Sequence, residues 1–343
     1  MEQVEINYEL IGQKLGEDIF SKQGTLLLKA GTKLTEYHIS LLKNHTLGEK
    51  VQIFTDIPQS KFKSEPITLK PYEELLKLVE EEFNELIHTN RSTNFQSLIK
   101  KVSQVLLTSM QDTNITTVIE KRKSNNYIIQ HSLNVSILSA MIGKLLGYSK
   151  EECILIGKMG LFHDIGMLKF NESLLSKIEL TREDKEQIKT HTVLGYDLLK
   201  TIPYIHPLIP QASLLHHERI NGGGYPMKFV ESKIPFFVQI VSVADTFNAI
   251  CSDRPHTPGA PFYYAVQEVV KEAEANQLNP AIVVPFVRYL MRQQLRESVM
   301  LSNNQEAEIV FIHDHEPHLP LVKIGENYVD LRKEPHIRLK TPV

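Results

Sequence analysis

The sequence predicts a mainly α-helical protein, with a small α+β domain before a helical bundle and a short β-rich extension after it. Apolar residues recur at helical spacing over most of the segment 72–275. Short β-prone runs lie before that segment, and strand-like runs separated by Asn, Pro and Gly follow about Val299. The 343 residues suffice for two or three domains of roughly 150 residues each.

Composition narrows the class of protein. The 42% hydrophobic and 23% charged residues are ordinary for a globular chain, and a net charge of −3 leaves no basic excess for holding a long nucleic acid. Cys153 and Cys251 are too few for a thiolate zinc site or a disulfide framework, which fits a reducing cytoplasm. The first residues are acidic and polar, so we expect no signal peptide. The apolar runs are too short for a helix that spans a membrane, so we expect no membrane span. Metal ligands would therefore be mainly nitrogen and oxygen.

Residues 1–57 are expected to form the small α+β N-terminal domain, with a regulatory role. Strands are predicted at 25–28 and 51–54, and a helix is predicted to begin near Thr35. The Pro-, Ser- and Lys-rich segment 58–71 is typical of a linker. Residues 72–120 are expected to be connecting helices. The apolar stripe over 72–87 is a candidate pairing face for a homodimer, with packing inside the chain as the alternative.

The domain expected to carry the chemistry spans residues 121–290. Thr181 and Asp184 have the spacing of a capping box, which marks one helix start. Helical periodicity covers the ranges 97–119, 127–146, 151–163, 181–199, 208–217, 236–250 and 262–275.

The C-terminal extension, residues 291–343, is expected to be β-rich, with strand-like runs at 308–312, 319–324 and 328–331. Three of its histidines lack a helical context, so they are expected at the surface or in loops. They are His313, His315 and His318.

Potential metal ligands recur through the bundle at intervals of about one helix and its connection. Most of them share a helix face with apolar residues, as His131 does with Val135 and Leu138, so they should point toward the core. A lone histidine on such a face is more often a hydrogen-bonded core residue, but so many in phase predict a metal centre. The set is His131, His163, Asp164, His191, His216, His217 and Asp245.

Asp245 gives this prediction its strongest physical reason. It lies in the apolar segment 236–250, where an ionised carboxylate would be costly to bury without a cation, a proton or several donors. A metal ion would supply the compensation. An ion pair or hydrogen bonds within the helix remain the alternative.

Ordered motifs from about residue 120 to 275 resemble the HD-GYP branch of the HD-domain metal-dependent phosphohydrolases. After Tyr127-x-x-x-His131-Ser132 come GLFHDIG at 160–166, KTHTVLGYDLL at 189–199, HHERINGGGYP at 216–226 and VSVADTFNAICSDRP at 241–255. The resemblance implies an HD-type helical bundle and a phosphodiesterase that opens cyclic di-GMP to pGpG, and in some members to GMP. It also implies a place in bacterial signalling.

The same resemblance implies metals, usually iron or manganese, held by the seven ligands, with His163 and Asp164 as catalytic residues. Some members hold a third metal through a glutamate at the position of Tyr127, so two divalent ions are expected here. Two ions sharing a carboxylate would activate water as hydroxide and neutralise the phosphodiester oxygens.

Substrate contacts are expected after the histidine pair. Three glycines would let backbone amides approach a phosphate, and Tyr225 offers a ring for stacking on guanine. A simple turn at Asn221 and Gly222 is the alternative for the loop, and a surface position is the alternative for Arg254. The candidate substrate-binding residues are Arg219, Gly222, Gly223, Gly224, Tyr225 and Arg254.

The sequence departs from the family around the substrate. Met167 replaces a lysine and Asn248 replaces an aspartate, while Asn221 and His256-Thr257 also differ from the usual motifs. One hypothesis is a working phosphodiesterase in which Arg219, Arg254 or Lys169 compensates. A second is a weakly active or inactive domain that senses a cyclic dinucleotide or binds signalling proteins. Hydrolysis of another phosphorylated metabolite is a third.

Overall fold

The protein is described by a computed structural model that covers residues 2–20, 26–45, 50–53, 69–89, 95–111, 126–253 and 258–342. The chain divides into two compact units. One comprises residues 1–63, 294–338 and 342–343, and the other comprises residues 64–293 and 339–341. The N-terminal segment and the β-rich C-terminal segment, which the sequence analysis treats separately, therefore share one unit. A segment of about 60 residues buries too little surface to be more than marginally stable alone.

The N-terminal part of the first unit is a small α+β fold. Its elements are β1 (Glu2–Glu5), β2 (Ile19–Phe20), β3 (Leu26–Leu28), α1 (Glu36–His45) and β4 (Lys50–Ile53). Strand β1 pairs with β4 and β2 pairs with β3, both antiparallel. The buried core of this part consists of Leu10, Leu15, Leu28, Leu34, Ile39, Leu42, Val51 and Ile53. The helix expected near Thr35 is confirmed.

The C-terminal part of the first unit is a sheet in which the strands follow the order β8-β7-β6-β5. These strands are β5 (Ser298–Leu301), β6 (Glu306–Phe311), β7 (Leu321–Ile324) and β8 (Asn327–Asp330). The last strand, β9 (Leu339–Pro342), belongs mostly to the second unit. Tyr328 of β8 contacts Tyr8, with ring centroids 5.4 Å apart. The expected β-rich extension is therefore confirmed.

His313 lies in the loop just after β6, which agrees with the expected surface or loop position. Its side chain is buried and lies 3.3 Å from Asp330. His315 is exposed and His318 is half-buried. The sequence did not indicate this burial because Asp330, the residue that makes it tolerable, belongs to another strand.

The second unit is the helical bundle. Its helices are α2 (Leu69–Thr89), α3 (Phe95–Gln111), α4 (Tyr127–Leu145), α5 (Lys150–Phe162), α6 (Glu172–Leu175), α7 (Arg182–Lys189), α8 (His191–Leu199), α9 (Leu208–Leu215), α10 (Phe236–Cys251), α11 (Phe262–Glu274) and α12 (Pro280–Arg292). Helix α4 is buried along most of its length and packs on α5 and α10. It therefore forms the centre of the bundle.

Most predicted helices are confirmed, with two differences. The single helix predicted over 181–199 is two helices, because the chain bends at Thr190, whose hydroxyl donates to the carbonyl of Gln187. Helix α12 was not predicted, because Pro285 lies inside it. Helix α2 begins at Leu69, inside the segment expected as a linker.

The caps follow the sequence closely. Thr181 and Asp184 form the predicted capping box at the start of α7, and Ser149 and Glu152 form a second one at the start of α5. Of the described helices, none is both long enough and apolar enough to span a bilayer. Residues 58–68, 112–119 and 254–257, which carry part of the predicted linker, part of a predicted helix and Arg254, lie outside the described residues.

Candidate metal centre

The predicted ligands come from five places in the bundle that converge on one point. His131 lies on α4 and Asp245 on α10, while the others lie at helix ends. His163 and Asp164 follow α5, His191 begins α8, and the pair at 216–217 follows α9. Inside a helix, two adjacent side chains point about 100° apart. At a helix end the backbone departs from helical geometry, so adjacent residues such as His163 and Asp164 can both face the centre.

Two glycines bring the ligand-bearing segments together. A Cβ at Gly166 would collide with the backbone carbonyl of His191, and a Cβ at Gly195 would collide with the hydroxyl of Ser213. Gly166 and Gly195 also lie against each other across the contact between the segment 165–169 and α8. Larger side chains here would push His191 away from Asp164.

The ligand atoms fall into two groups, and within each group all the atoms lie within 4.8 Å of one another. All seven residues predicted as ligands are in these groups. One group is Asp164, His191, His216 and His217, and the other is His131, His163 and Asp245.

Asp164 lies between the two groups and faces both. Its Oδ1 is 3.2 Å from Nε2 of His191 and 3.4 Å from Nε2 of His216. Its Oδ2 is 3.5 Å from Nε2 of His163 and 3.8 Å from Nε2 of His131. One carboxylate thus presents one oxygen to each group, which is the arrangement of a bridging ligand.

Asp245 is the second carboxylate of the centre. Its Oδ1 is 3.0 Å from Nε2 of His131 and 3.6 Å from Nε2 of His163, while its Oδ2 is 3.9 Å from Nδ1 of His217. Only histidines lie within ion-pair distance of Asp164 and Asp245 in the part of the chain that the structure describes.

Backbone carbonyls orient three of the imidazole rings. Nδ1 of His163 lies 2.7 Å from the carbonyl oxygen of Gly160, and Nδ1 of His191 lies 2.7 Å from that of Ile188. Nδ1 of His216 is 3.0 Å from two carbonyl oxygens of α9. A nitrogen that faces a carbonyl carries the proton, so in a neutral ring Nε2 keeps its lone pair for the centre.

The residues fit divalent cations. Among the described residues, Nε2 of His163 and Oδ1 of Asp164 are buried and make no hydrogen bond. These two atoms face the same cluster of imidazole nitrogens and carboxylate oxygens, and a shared cation would satisfy them. The nitrogen and oxygen donor set suits iron, manganese, zinc or nickel.

Protonation of the histidines alone does not remove the repulsion. Burial lowers the pKa of His216, and burial together with His216 lowers the pKa of His217 well below its usual range. Burial would also lower the pKa of His163, but the charges of Asp164 and Asp245 outweigh it and raise that pKa to about 9. One imidazolium thus faces two carboxylates.

The carboxylates stay ionised despite their burial. Burial raises the pKa of Asp164, but the neighbouring His163, His191 and His216 side chains outweigh it and hold that pKa well below its usual range. His131 and His163 do the same for Asp245. Two anions in one buried pocket are a strong electrostatic signal for cation binding.

Several supporting residues were not identified from the sequence as parts of the site. Asn248 accepts a hydrogen bond at 2.8 Å from Nδ1 of His131, so the amide does the orienting that an aspartate would do. The Asn248 side chain is buried one helical turn after Asp245 on α10, a spacing that could have revealed it. The hydroxyls of Ser213 and Ser242 donate to the carbonyls of His163 and His216 and tie those backbone segments to neighbouring helices.

The glycine loop is held in shape from inside. The buried carboxylate of Glu218 accepts from the amides of Met227 at 2.6 Å and Phe229 at 2.9 Å. The amides of Gly222 and Gly223 bond to Arg219 and Asn221 within the loop. These two amides are therefore already used, and the predicted phosphate contact of the glycines stays a prediction.

Gly224 and Tyr225 bring the loop against the ligands. A Cβ at Gly224 would collide with the backbone of residues 217–219. The ring of Tyr225 stacks on His217 with centroids 4.7 Å apart, and Nζ of Lys189 lies 5.5 Å from the Tyr225 ring centre. One face of the tyrosine is thus already covered by a ligand.

A cavity of about 260 Å³ opens beside the ligands. It is lined by His217, Arg219, Asn221, Gly223, Gly224, Tyr225 and Gln277. This volume is below the usual range of pockets that enclose a whole drug-sized ligand, so it suits one part of a larger substrate.

Lys169, one of the expected compensating cations, has a hydrogen-bond partner of its own. Nζ of Lys169 donates to the carbonyl of Ile87 at 2.9 Å, so it is bound to the end of α2. Met167 is half-buried, and Arg254 lies outside the described residues. The ring of Tyr127, at the third-metal position, stacks on His131 with centroids 5.5 Å apart.

Comparison with known proteins agrees with this geometry. The family model described as "HD domain" matches residues 103–282. The cyclic di-GMP phosphodiesterase PdeB of Borreliella burgdorferi is 27% identical over 207 residues, which cover 60% of this chain and 53% of that protein. The 3'3'-cGAMP-specific phosphodiesterase 3 of Vibrio cholerae is 27% identical over 136 residues, covering 39% of this chain and 29% of that protein. The chain spans about half, or less, of the length of these relatives.

A solved structure shares the fold. Bd1817, a HDG"Y"P protein from Bdellovibrio bacteriovorus, superposes with a TM-score of 0.55 at 16% identity, covering 83% of this chain and 97% of that one. At this identity the likeness shows the fold and carries nothing about the reaction.

Proposed function

Because this chain belongs to the HD domain family, whose model matches residues 103–282, we propose that it is a metal-dependent phosphodiesterase that hydrolyses cyclic di-GMP to pGpG. The observation that carries the proposal is the position of Asp164, whose two oxygens face two groups of histidines. A core histidine or an ordinary ion pair does not require such a bridge.

The centre would hold two divalent ions, iron or manganese, through the seven ligands of the two groups. Such ions, when bound, lower the pKa of water and neutralise phosphodiester oxygens. The chain's own contribution is to keep Asp164 and Asp245 ionised and to keep His216 and His217 neutral.

Substrate would be held beside the ligands by the loop that follows them. Arg219 faces the cavity and supplies a cation for a phosphate, and Tyr225 limits the space above His217. The glycines and Arg254 remain proposed contacts. A guanine ring would have to stack on the face of Tyr225 that His217 does not cover.

A sensor of cyclic dinucleotides is the second candidate. It is favoured by Met167, which removes a cation beside the scissile phosphate, and by Lys169, which is bound to Ile87 and does not replace it. The seven retained ligands favour turnover, because a module that only binds has no need of them.

The decisive experiment uses the full chain loaded with manganese or with iron under anaerobic conditions. Cyclic di-GMP and 3'3'-cGAMP are incubated separately, and products are separated by liquid chromatography. We expect pGpG from cyclic di-GMP, and no product from a His163→Ala, Asp164→Ala variant. Ligand binding by calorimetry without turnover under either metal would instead establish the sensor.

The substitution Met167→Lys separates slow catalysis from none. If the missing lysine limits the rate, restoring it should raise kcat/KM by about 10-fold or more, as for other groups that stabilise transition-state charge. An unchanged rate would mean that Arg219 or another cation already supplies the charge.

The remaining parts of the proposal concern the setting of the reaction. We place the protein in the cytoplasm, where cyclic dinucleotides act as signals. Residues 1–57 would regulate the bundle, and a homodimer or signalling protein partners would transmit that regulation. Size-exclusion chromatography with light scattering, with and without cyclic di-GMP, tests the dimer.

A further inference from the structure

Arg219 is held from one side only. Its Nη2 lies 3.3 Å from the hydroxyl of Thr246 and 3.4 Å from Oε2 of Glu272. Its Nη1 is buried and makes no hydrogen bond among the described residues. A guanidinium has a rigid planar fork, so fixing one nitrogen fixes the direction of the other.

Arg219 lies at the cavity beside the predicted metal ligands. It lines that cavity with His217 and Tyr225, and Thr246 directly follows Asp245 on α10. A guanidinium at the wall of a cavity favours an anionic ligand there. The phosphate of a cyclic dinucleotide has the required charge and acceptor oxygens.

Glu272 comes from α11, outside every motif that predicted the site. Its carboxylate is half-buried, and Arg219 is its cationic partner in the described part of the chain. Burial raises the pKa of Glu272, while Arg219 lowers it. Glu272 is not one of the predicted metal ligands, so its partial burial needs another explanation. Its contact with Arg219 provides one.

We infer that Glu272 is a positioning residue, which holds the guanidinium of Arg219 at the wall of the cavity, where it contacts a phosphate of the substrate. This inference rests on the proposed function. Arg219 would then supply the positive charge that Met167 does not. An arginine held in place loses less conformational freedom on binding than a mobile cation does.

The test is a double-mutant cycle in cyclic di-GMP hydrolysis with Glu272→Gln, Arg219→Ala and the double variant. Glu272→Gln preserves size and removes the charge. Because the arginine contacts charge that the substrate already carries, KM should rise by about 10-fold while kcat changes little. Arg219→Ala should raise KM at least as much, and adding Glu272→Gln to it should have no further effect.

Glu268→Gln is the matched control, since Glu268 lies on the same helix and its contact at 3.5 Å is with Lys271. It should leave KM unchanged. Thermal unfolding and bound-metal content should match those of the wild type in every variant. If Glu272→Gln does not fold, Glu272→Asp keeps the charge, withdraws the contact and should give the same rise in KM.

An unchanged KM in Glu272→Gln, or effects of the two substitutions that simply add, would overturn the inference while leaving the proposed hydrolysis intact. If the wild type shows no turnover, the same cycle is measured as the Kd of cyclic di-GMP by calorimetry on chelator-treated protein. A loss of affinity that vanishes in the Arg219→Ala background supports the inference. Equal affinity, or no binding by the wild type, refutes it.

Discussion

Two regions of this chain bury a histidine against an aspartate, and they neutralise the carboxylate in different ways. In the C-terminal sheet, the carboxylate of Asp330 lies 3.3 Å from His313. It also accepts hydrogen bonds from Nε of Arg332 at 3.2 Å and from Nη2 of Arg332 at 2.7 Å. In the bundle, Asp164 and Asp245 have only histidines within ion-pair distance among the described residues.

The difference teaches that contact between histidine and aspartate does not by itself indicate a metal. In the sheet, the guanidinium of Arg332 already balances the charge of Asp330, so a cation would have little to gain. In the bundle, two carboxylates share one pocket with a single imidazolium, and burial keeps His216 and His217 neutral, so negative charge remains unbalanced. Among the described residues, no arginine or lysine lies within ion-pair distance of Asp164 or Asp245, and this is as informative as the predicted ligands.

The largest expected effect is a loss of activity on substitution of Asp164 in the bundle, with no such loss on substitution of Asp330 in the sheet. Asp164→Asn removes the charge that faces both groups of histidines, and turnover of cyclic di-GMP should fall on the order of 10⁴-fold, as when a central catalytic group is lost. Bound metal, measured by mass spectrometry, should fall with it. Asp330→Asn is the matched control and should retain both. Loss of metal in Asp330→Asn would break the comparison.

A smaller effect is expected from the support of His131. Asn248→Ala leaves Nδ1 of that ring without its acceptor, and metal affinity should drop by about 10-fold to 100-fold, the usual cost of losing such a partner. Competition with a chromogenic chelator measures it. Ser252→Ala serves as control, because the Ser252 hydroxyl contacts the same oxygen at 3.2 Å without touching a ligand. Equal affinity in Asn248→Ala would mean that the ring is oriented by other contacts.

The sheet cluster should respond in stability instead. Arg332→Met leaves the carboxylate of Asp330 buried with His313 alone, and the free energy of unfolding should fall by about 1–3 kcal/mol. Urea denaturation followed by circular dichroism measures this change. Turnover and metal content should stay at the wild-type level, and a parallel loss of metal would contradict the division between the two regions.

The smallest effect concerns acid. Burial raises the pKa of Asp330, but Arg332 outweighs it, so the folded pKa lies below the ordinary value of 3.8. A lowered pKa stabilises the fold at pH above 3.8, and that stability is lost as pH falls through the lowered value. Asp330→Asn should therefore flatten the acid limb of the stability curve below about pH 4. An unchanged limb would assign acid sensitivity to other groups.

Much of the bundle could be predicted because its signals are local. Helical periodicity and the capping box at Thr181 depend on residues within one or two turns, and both are confirmed. The bend at Thr190 and helix α12 were missed, because packing decided against the local pattern at Thr190 and in favour of a helix that contains Pro285. The shared unit of the two chain ends could not be predicted, since no local signal pairs Tyr8 with Tyr328.

The sequence by itself indicated the candidate ligands and their order, and it placed His131 and Asp245 on the apolar faces of their helices, because these signals are local. Only the tertiary structure decided that Asp164 faces both groups, that Asn248 orients His131 and that Glu272 contacts Arg219. These relations join residues far apart in the chain, and they depend on where helix ends meet. Close packing at Gly166 and Gly195 fixes the distance between these segments, because even one added methyl group at either glycine would collide with its neighbour.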